Sequence, residues 1–436
     1  TAGMVTGRIL SVTAVDVEVV EKIRLRSAVD RQREQLQSRG VQGATLETEL
    51  KTFRIKKSKE LRLARPFLSA NDRSRWCTIR ALVDDGTFAI DQIVTDPEDH
   101  ARWQTIDMVK HARNGEPHLY SSKPTLLPTL LAGEYFLIQK ITGWTLAEHP
   151  FKVVRTMLLL TNVPAIMVIL LLLSGIVEKL GASDWGRVTV MAMAAFGTYL
   201  TTFAVVLNNH LIAAMCVTIA FYAAVKVWVE CRREARWALL AGLFSALAMA
   251  VELPAGLLLA ILGIGFLCTV PRATMLFGLP AVLIVAAAAI GTNYIAHGTF
   301  LPPYAYRAAG QDWQTGNWYV YDYQVGSRAI SSYWKTDAES MRSRSKIDQG
   351  EESRNDYIFH SLLGHHGLFS LTPMWLLSLA GMMAMLVRRV IPSLRSLGLV
   401  ILLVSIGCLT FYFSLSGEAR TYGGMTSGPR WFFWLI

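Results

Sequence analysis

The sequence predicts an all-α protein that crosses a membrane many times and gathers its polar, chemistry-capable residues on one side. Three observations predict it. Hydrophobic residues make up 52% of the 436-residue chain and charged residues only 17%, against about 25% in a soluble domain. Charge is dense in residues 1–116 and 303–357 and nearly absent from long apolar runs elsewhere. Those runs approach the ~20 residues a helix needs to cross the hydrocarbon core.

Taken in order, the runs predict spans over 153–177, 188–206, 211–229, 237–252, 254–270, 275–296, 369–387 and 396–415, with a further one opening near 430. That is eight or nine crossings separated by two large hydrophilic loops. The short basic turns Glu230–Arg236 and Arg388–Arg395, with Arg272, fall on one side when the spans alternate. Lys/Arg-rich turns are cytoplasmic, so 67–152 and 297–368 are expected outside, in a multi-pass protein of the cell's inner or plasma membrane. The organisation is then an arm (1–66), a first outer loop with juxtamembrane helices (67–152), a transmembrane bundle (153–298), a second outer loop (299–368) and further spans (369–436).

The arm holds 14 Lys/Arg and 8 Asp/Glu, with helix-like stretches at Val19–Gln37 and Leu46–Arg65. It reads as solvated and partly helical. An outer Asp72 calls for a span ahead of residue 67, and no apolar run of that length is present. Thr1 and the apolar run opening at Trp431 read as the ends of a piece of a longer protein.

Composition narrows the function classes. The net charge of +10, beside such apolar runs, suits cytoplasmic turns and anionic headgroups rather than nucleic acid. Cys77, Cys216, Cys231, Cys268 and Cys408 have neither disulfide nor metal-ligand spacing. Phosphate loops, dinucleotide fingerprints and nucleophile elbows are absent from the sequence. No cofactor is expected, and a divalent metal has no supporting ligand pattern.

The first outer loop carries the richest inventory. Asn71-Asp-Arg-Ser-Arg-Trp76 leads into a helix-like run, Cys77–Asp85, then Gly86-Thr-Phe, then His118-Leu-Tyr-Ser-Ser-Lys-Pro124 before the apolar stretch Thr125–Thr142. Singly these have plain readings: Asp72 as a helix N-cap, Pro124 as a helix start, the cations snorkelling to headgroups. Together they supply what a transferase with a lipid-phosphate donor needs. A carboxylate (Asp72) deprotonates an acceptor hydroxyl. Cations (Arg75, Lys123) neutralise a departing phosphate. Aromatics (Trp76, Tyr120) stack on sugars.

This order of motifs resembles the first periplasmic loop of GT-C fold membrane glycosyltransferases, most nearly glycosyltransferase family 39. That family includes protein O-mannosyltransferases and the bacterial aminoarabinose transferases acting on lipid A. The resemblance covers residues 69–145 in detail and the remaining spans in topology. It implies a GT-C-like bundle, Asp72 as catalytic base, Lys123 beside the lipid phosphate, and a helix along the membrane after Lys123-Pro124. The family's paired Glu is Arg73 here. The implied partners are a polyprenyl-phosphate-linked sugar donor and a protein, lipid or glycan acceptor.

Other outer residues suit a shared site. Asn208-Asn209-His210 reads equally as helix capping or substrate contact, and Glu252 lies at a span end ahead of Pro254. His365 and His366 are adjacent, so they do not form an i, i+4 metal pair; they and an aromatic cluster (Trp313 to Trp334) read as substrate-lining. Arg430, after Tyr422-Gly-Gly-Met-Thr-Ser-Gly428, reads as a phosphate partner or an interfacial anchor. The alternative function is a transporter or flippase of lipid-linked glycans. Transport sites lie near the midplane, whereas here the polar groups gather at outer span ends and loops.

Overall fold

A computed structural model describes residues 1–11, 17–60, 69–97, 100–113, 115–181, 183–307, 310–335, 351–387, 392–416, 419–423 and 430–435. Helices of eight or more residues are numbered below. Apolar α1 (Ala2–Leu10) is followed by charged α2 (Val17–Ser38) and α3 (Gly43–Glu60). Helix α4 (Ala70–Arg80) runs into a π turn, Ala81–Asp85. An antiparallel hairpin, β1 (Met108–Arg113) and β2 (Glu116–Ser121), leads to α5 (Leu126–Thr142). The apolar core contains α6 (Pro150–Leu180), α7 (Asp184–Phe196), α8 (Asn209–Trp228), α9 (Ala235–Val251), α10 (Gly256–Thr269) and α11 (Leu279–His297). A second hairpin, β3 (Asp322–Val325) and β4 (Arg328–Ser331), precedes α12 (Arg354–Leu362), α13 (Met374–Val387) and α14 (Pro392–Phe413).

The protein is an α-helical membrane protein. Among the described residues, four helices are long and apolar enough to cross a bilayer: α6, α8, the Pro271–His297 helix that ends as α11, and α14. This is fewer than the eight or nine predicted. Helices α9, Leu253–Thr269 (which includes α10) and α13 are apolar but shorter, roughly 21–25 Å at 1.5 Å per residue against a core of about 30 Å. The run near 430 is a 3-10 helix, Arg430–Leu435. The two hairpins also amend the all-α expectation. Residues 61–68, 388–391 and 424–429, which belong to the arm, a basic turn and the Gly-rich segment, lie outside the described residues.

The predicted span 188–206 fails for a local reason. Helix α7 ends at Phe196, with Gly197 closing it, and only Leu200–Phe203 is helical beyond. Hydropathy cannot see such a break. A bilayer tolerates one only where its backbone groups find partners within the protein, and they do here. Asn162 of α6 donates to Ala204 O (2.8 Å) and Val206 O (3.0 Å). Asn208 donates to Phe203 O (2.6 Å), and Arg8 of α1 to Thr201 O (3.2 Å). Val5 and Ile9 of α1 are fully buried in the main core, packed on α6. The first turns of the arm therefore belong to the bundle rather than to solvent.

Around the outer loops, side chains bind helix to helix. The Tyr135 hydroxyl of α5 donates to Asp84 Oδ1 (3.0 Å) and accepts from Leu146 N (2.8 Å), clamping α4, α5 and the turn into α6. The two outer loops join through backbone: Lys110 N donates to Trp318 O (2.9 Å), and Trp334 Nε1 to Ile106 O (2.8 Å). Rings then stack from Tyr306 to Trp318 (3.8 Å), to His111 (4.1 Å) and to Tyr120 (4.4 Å).

Helix α9 meets the Pro271–His297 helix through glycines. A Cβ on Gly242 would stand 2.4 Å from Gly278 O, so nothing larger than hydrogen fits. Gly242→Val is expected to force the helices apart at a cost of about 1–3 kcal/mol, read as a lower melting temperature in detergent. An unchanged melting temperature would contradict the close crossing.

Candidate functional site

Helix α4 starts at Ser69, whose hydroxyl accepts from Asn71 N at 3.2 Å. Ser69 is therefore the N-cap, and the capping reading of Asp72 is corrected. Asp72 lies in the first turn and is only 5% exposed. Burial works against its charge, and the cations Arg75, Arg73 and Arg430 offset that only in part. The carboxyl is pushed up to about 7.

The flanking arginines have separate tasks. Arg73, where the resembled family has Glu, is 1% exposed, and its Nε donates to Gln104 O at 2.6 Å. It pins the segment leading to β1. Arg75 donates through Nη1 to Asn71 and through Nη2 to Asn209 Oδ1 at 2.6 Å. Asn209 is available because Asn208 caps α8, accepting from Leu211 N at 2.9 Å. Asn209 in turn donates to Glu252 Oε1 (2.5 Å) and Val251 O (3.0 Å), and Glu252 Oε1 contacts His210 Nδ1. Three segments far apart in sequence thus form one connected chain, Arg75–Asn209–Glu252–His210, with only Asn209 partly exposed.

The first hairpin builds the other half. Pairing Met108 with Ser121 brings Asp107 opposite Ser122, whose N donates to Asp107 O at 3.1 Å. One residue on, Lys123 Nζ meets Asp107 Oδ1 at 2.8 Å. Burial pulls the Lys123 ammonium down to about 8, with Asp107 opposing. Burial likewise opposes charge on Asp107, but the Lys123 ammonium and its hydrogen bond, joined by Arg430 and Arg75, together hold the carboxyl below its ordinary range. Ser74 Oγ on α4 lies 2.6 Å from both Asp107 O and Ser121 Oγ, tying this pair to the Asp72 helix. Arg75 and Arg430 act electrostatically on both Asp72 and Lys123, so the two halves share one field. Arg430 Nε is buried without a hydrogen-bond partner among the described residues.

Tyr304, from the second outer loop, is 46% exposed yet lies within the electrostatic reach of Arg75, Asp107, Glu252 and Arg430. Protein packed around its hydroxyl withholds solvent from the charged form and pushes the phenol up to about 12. Sequence reasoning passed over Tyr304 and Asp107. Asp107 had a usable signal: Asn114-Gly115 between alternating runs marks a hairpin, and its register puts Asp107 beside Lys123.

Other expected residues sit elsewhere. Trp76 is 1% exposed and packed in the main core, so it faces no sugar. Tyr120 is 3% exposed, stacked on His111. It lines a narrow, partly open crevice with Ser121, Lys123, Thr125 and His297 whose volume, about 10 Å³, suits one water rather than a sugar. Trp318, Tyr319 and Tyr321 are buried within the second loop and its junction with the first. The rings of His365 and His366 contact His360 and Tyr422, a cluster beside α12. Among the described residues no three His, Cys, Asp or Glu side chains are grouped to hold a metal.

Comparison with protein-family models, with curated proteins and with solved structures finds no match for this chain.

The buried carboxyl makes a stability prediction. Folded Asp72 keeps its proton up to about 7, whereas the unfolded side chain loses it near 3.8. Between those values the native state binds more protons, so stability falls as pH rises through that window. Asp72→Asn is neutral throughout. In thermal melts it is expected to match wild type near pH 4 and to exceed it above pH 7, by on the order of a few kcal/mol. Parallel pH profiles for the two proteins would contradict the raised carboxyl.

Proposed function

We propose that the chain is a membrane glycosyltransferase that moves a sugar from a polyprenyl-phosphate carrier to an acceptor hydroxyl on the extracytoplasmic face of the cell's inner or plasma membrane. The observation that carries this reading is Asp72: a buried carboxyl with its proton balanced near neutrality, ringed by cations, where polar loops meet apolar helices. Such matching of a base to its operating pH is what proton abstraction requires. A proton-coupled transporter places such a carboxyl near the bilayer midplane, whereas Asp72 lies on α4, which is not one of the long apolar helices.

In the proposed reaction Asp72 removes the proton of the acceptor hydroxyl as that oxygen attacks the anomeric carbon. The bond from that carbon to the phosphate oxygen breaks, and the carrier phosphate leaves with the electron pair. Lys123, Arg75 and Arg430 supply positive charge to that phosphate, and the Arg430 Nε carries an N–H unclaimed among the described residues. The Asn209–Glu252 link holds Arg75 in place. Tyr304 is the aromatic best placed to meet the sugar, in the role first expected of Trp76. For the fold, we propose a GT-C-like bundle in which α9, Leu253–Thr269 and α13 complete the crossings, held by local thinning of the bilayer around them.

The test uses purified protein in lipid with candidate polyprenyl-phosphate sugars. Wild type is expected to release sugar from the carrier, and Asp72→Asn to lose about 10²–10⁴-fold of that rate. Transbilayer movement of an intact carrier would overturn the enzyme reading.

The rate should rise with pH to a plateau, its acid limb centred near 7 because the base acts unprotonated. Arg75→Gln removes the largest charge stabilising that base, so its limb is expected to move to higher pH. A limb unmoved in the variant would assign the titration to another group.

A further inference from the structure

We infer that the α2–α3 hairpin is a membrane-surface element whose base engages anionic lipid headgroups on the side of the bilayer that carries Asp72. The helices are antiparallel: Arg33 pairs with Glu47 at 3.8 Å, and Leu36, Leu46 and Leu50 share a small core with Val29. That register sets the start of α2 level with the end of α3. It brings Lys22 and Arg26 to the level of Arg54 and Lys56, all four of them exposed.

Charge is uneven along the hairpin. At the tip, Arg31, Arg33 and Arg39 are balanced by Asp30, Glu34, Glu47 and Glu49. The base has the excess of cations. It also holds Ile23 and Ile55, 54% and 56% exposed, the exposed large apolar side chains among those described in α2 and α3. Each isoleucine is flanked by basic residues. Apolar groups set among Lys and Arg are the signature of a helix surface that rests in the interface of an anionic bilayer.

Position selects lipid over other anions. Helix α1 is packed in the bundle, and Ser11 to Val17 spans at most ~21 Å, so the base cannot leave the neighbourhood of the membrane. Between Ser11 and Asp72 the described helices, α2 and α3, are too charged to cross. The base therefore faces the leaflet next to the Asp72 site.

The experiment places full-length protein, with exposed Cys231 and Cys268 changed to Ser, in nanodiscs containing a lipid with a headgroup-attached nitroxide quencher. A fluorophore is attached at Ser58→Cys (base) or Ser38→Cys (tip). In phosphatidylglycerol discs the base probe is expected to be quenched at least about twofold more than in phosphatidylcholine discs, with the tip probe unaffected. Roughly 0.5 M salt, or joint replacement of Lys22, Arg26, Arg54 and Lys56 by Gln, should abolish the difference. Equal quenching of the base in both lipids would overturn the inference. So would an unquenched base in both, the result expected if the hairpin instead awaits a protein partner.

Discussion

The arrangement of the site depends on one buried guanidinium. Arg75 reaches from α4 to Asn209 at the start of α8, and through it to Glu252 at the end of α9. A buried charge of this kind is tolerated only when paired and fully hydrogen-bonded, and removing one partner leaves the others uncompensated. The Arg75–Asn209 bond therefore orients α4 against the transmembrane bundle. Asp72, one turn away, inherits its position from that bond and its raised proton affinity from the same burial.

A second constraint operates in the apolar layer. Irregular backbone between α7 and α8 persists because Arg8, Asn162 and Asn208 answer its carbonyls. Those side chains come from α1, α6 and the cap of α8, so the break also locks three elements together. The stacked rings from Tyr306 to Tyr120 do the same for the outer loops. They consume aromatics that a sequence reading would offer to a sugar, and leave Tyr304 with exposed surface beside the cations.

Legibility followed the range of the interactions. The membrane class, α6, α8, α14 and, within the described residues, the helical stretches of the arm rest on local hydropathy and charge, and they are where the sequence put them. The shortened spans and the broken 188–206 segment were hidden, since a window average does not register Gly197 or the capping of carbonyls from another helix. Within the site, Asp72, Arg75, Lys123, Asn209, His210, Glu252 and Arg430 were visible as polar groups at the ends of apolar runs. Asp107 and Tyr304 were not, although Asn114-Gly115 announced the hairpin that delivers Asp107.

By itself the sequence determined that this chain lives in a membrane and that its ionisable groups collect at the ends of its apolar runs, because burial cost per residue is a local property. Only the tertiary structure decided which of those groups meet. It made Ser69 rather than Asp72 the cap, put Trp76 in the core, and set His365 and His366 in a cluster of their own. It also joined Arg75, Asn209 and Glu252 across more than a hundred residues of chain. The physical reason is that a buried polar group must find a partner, and the partner's address along the chain is set by packing, which no local pattern encodes.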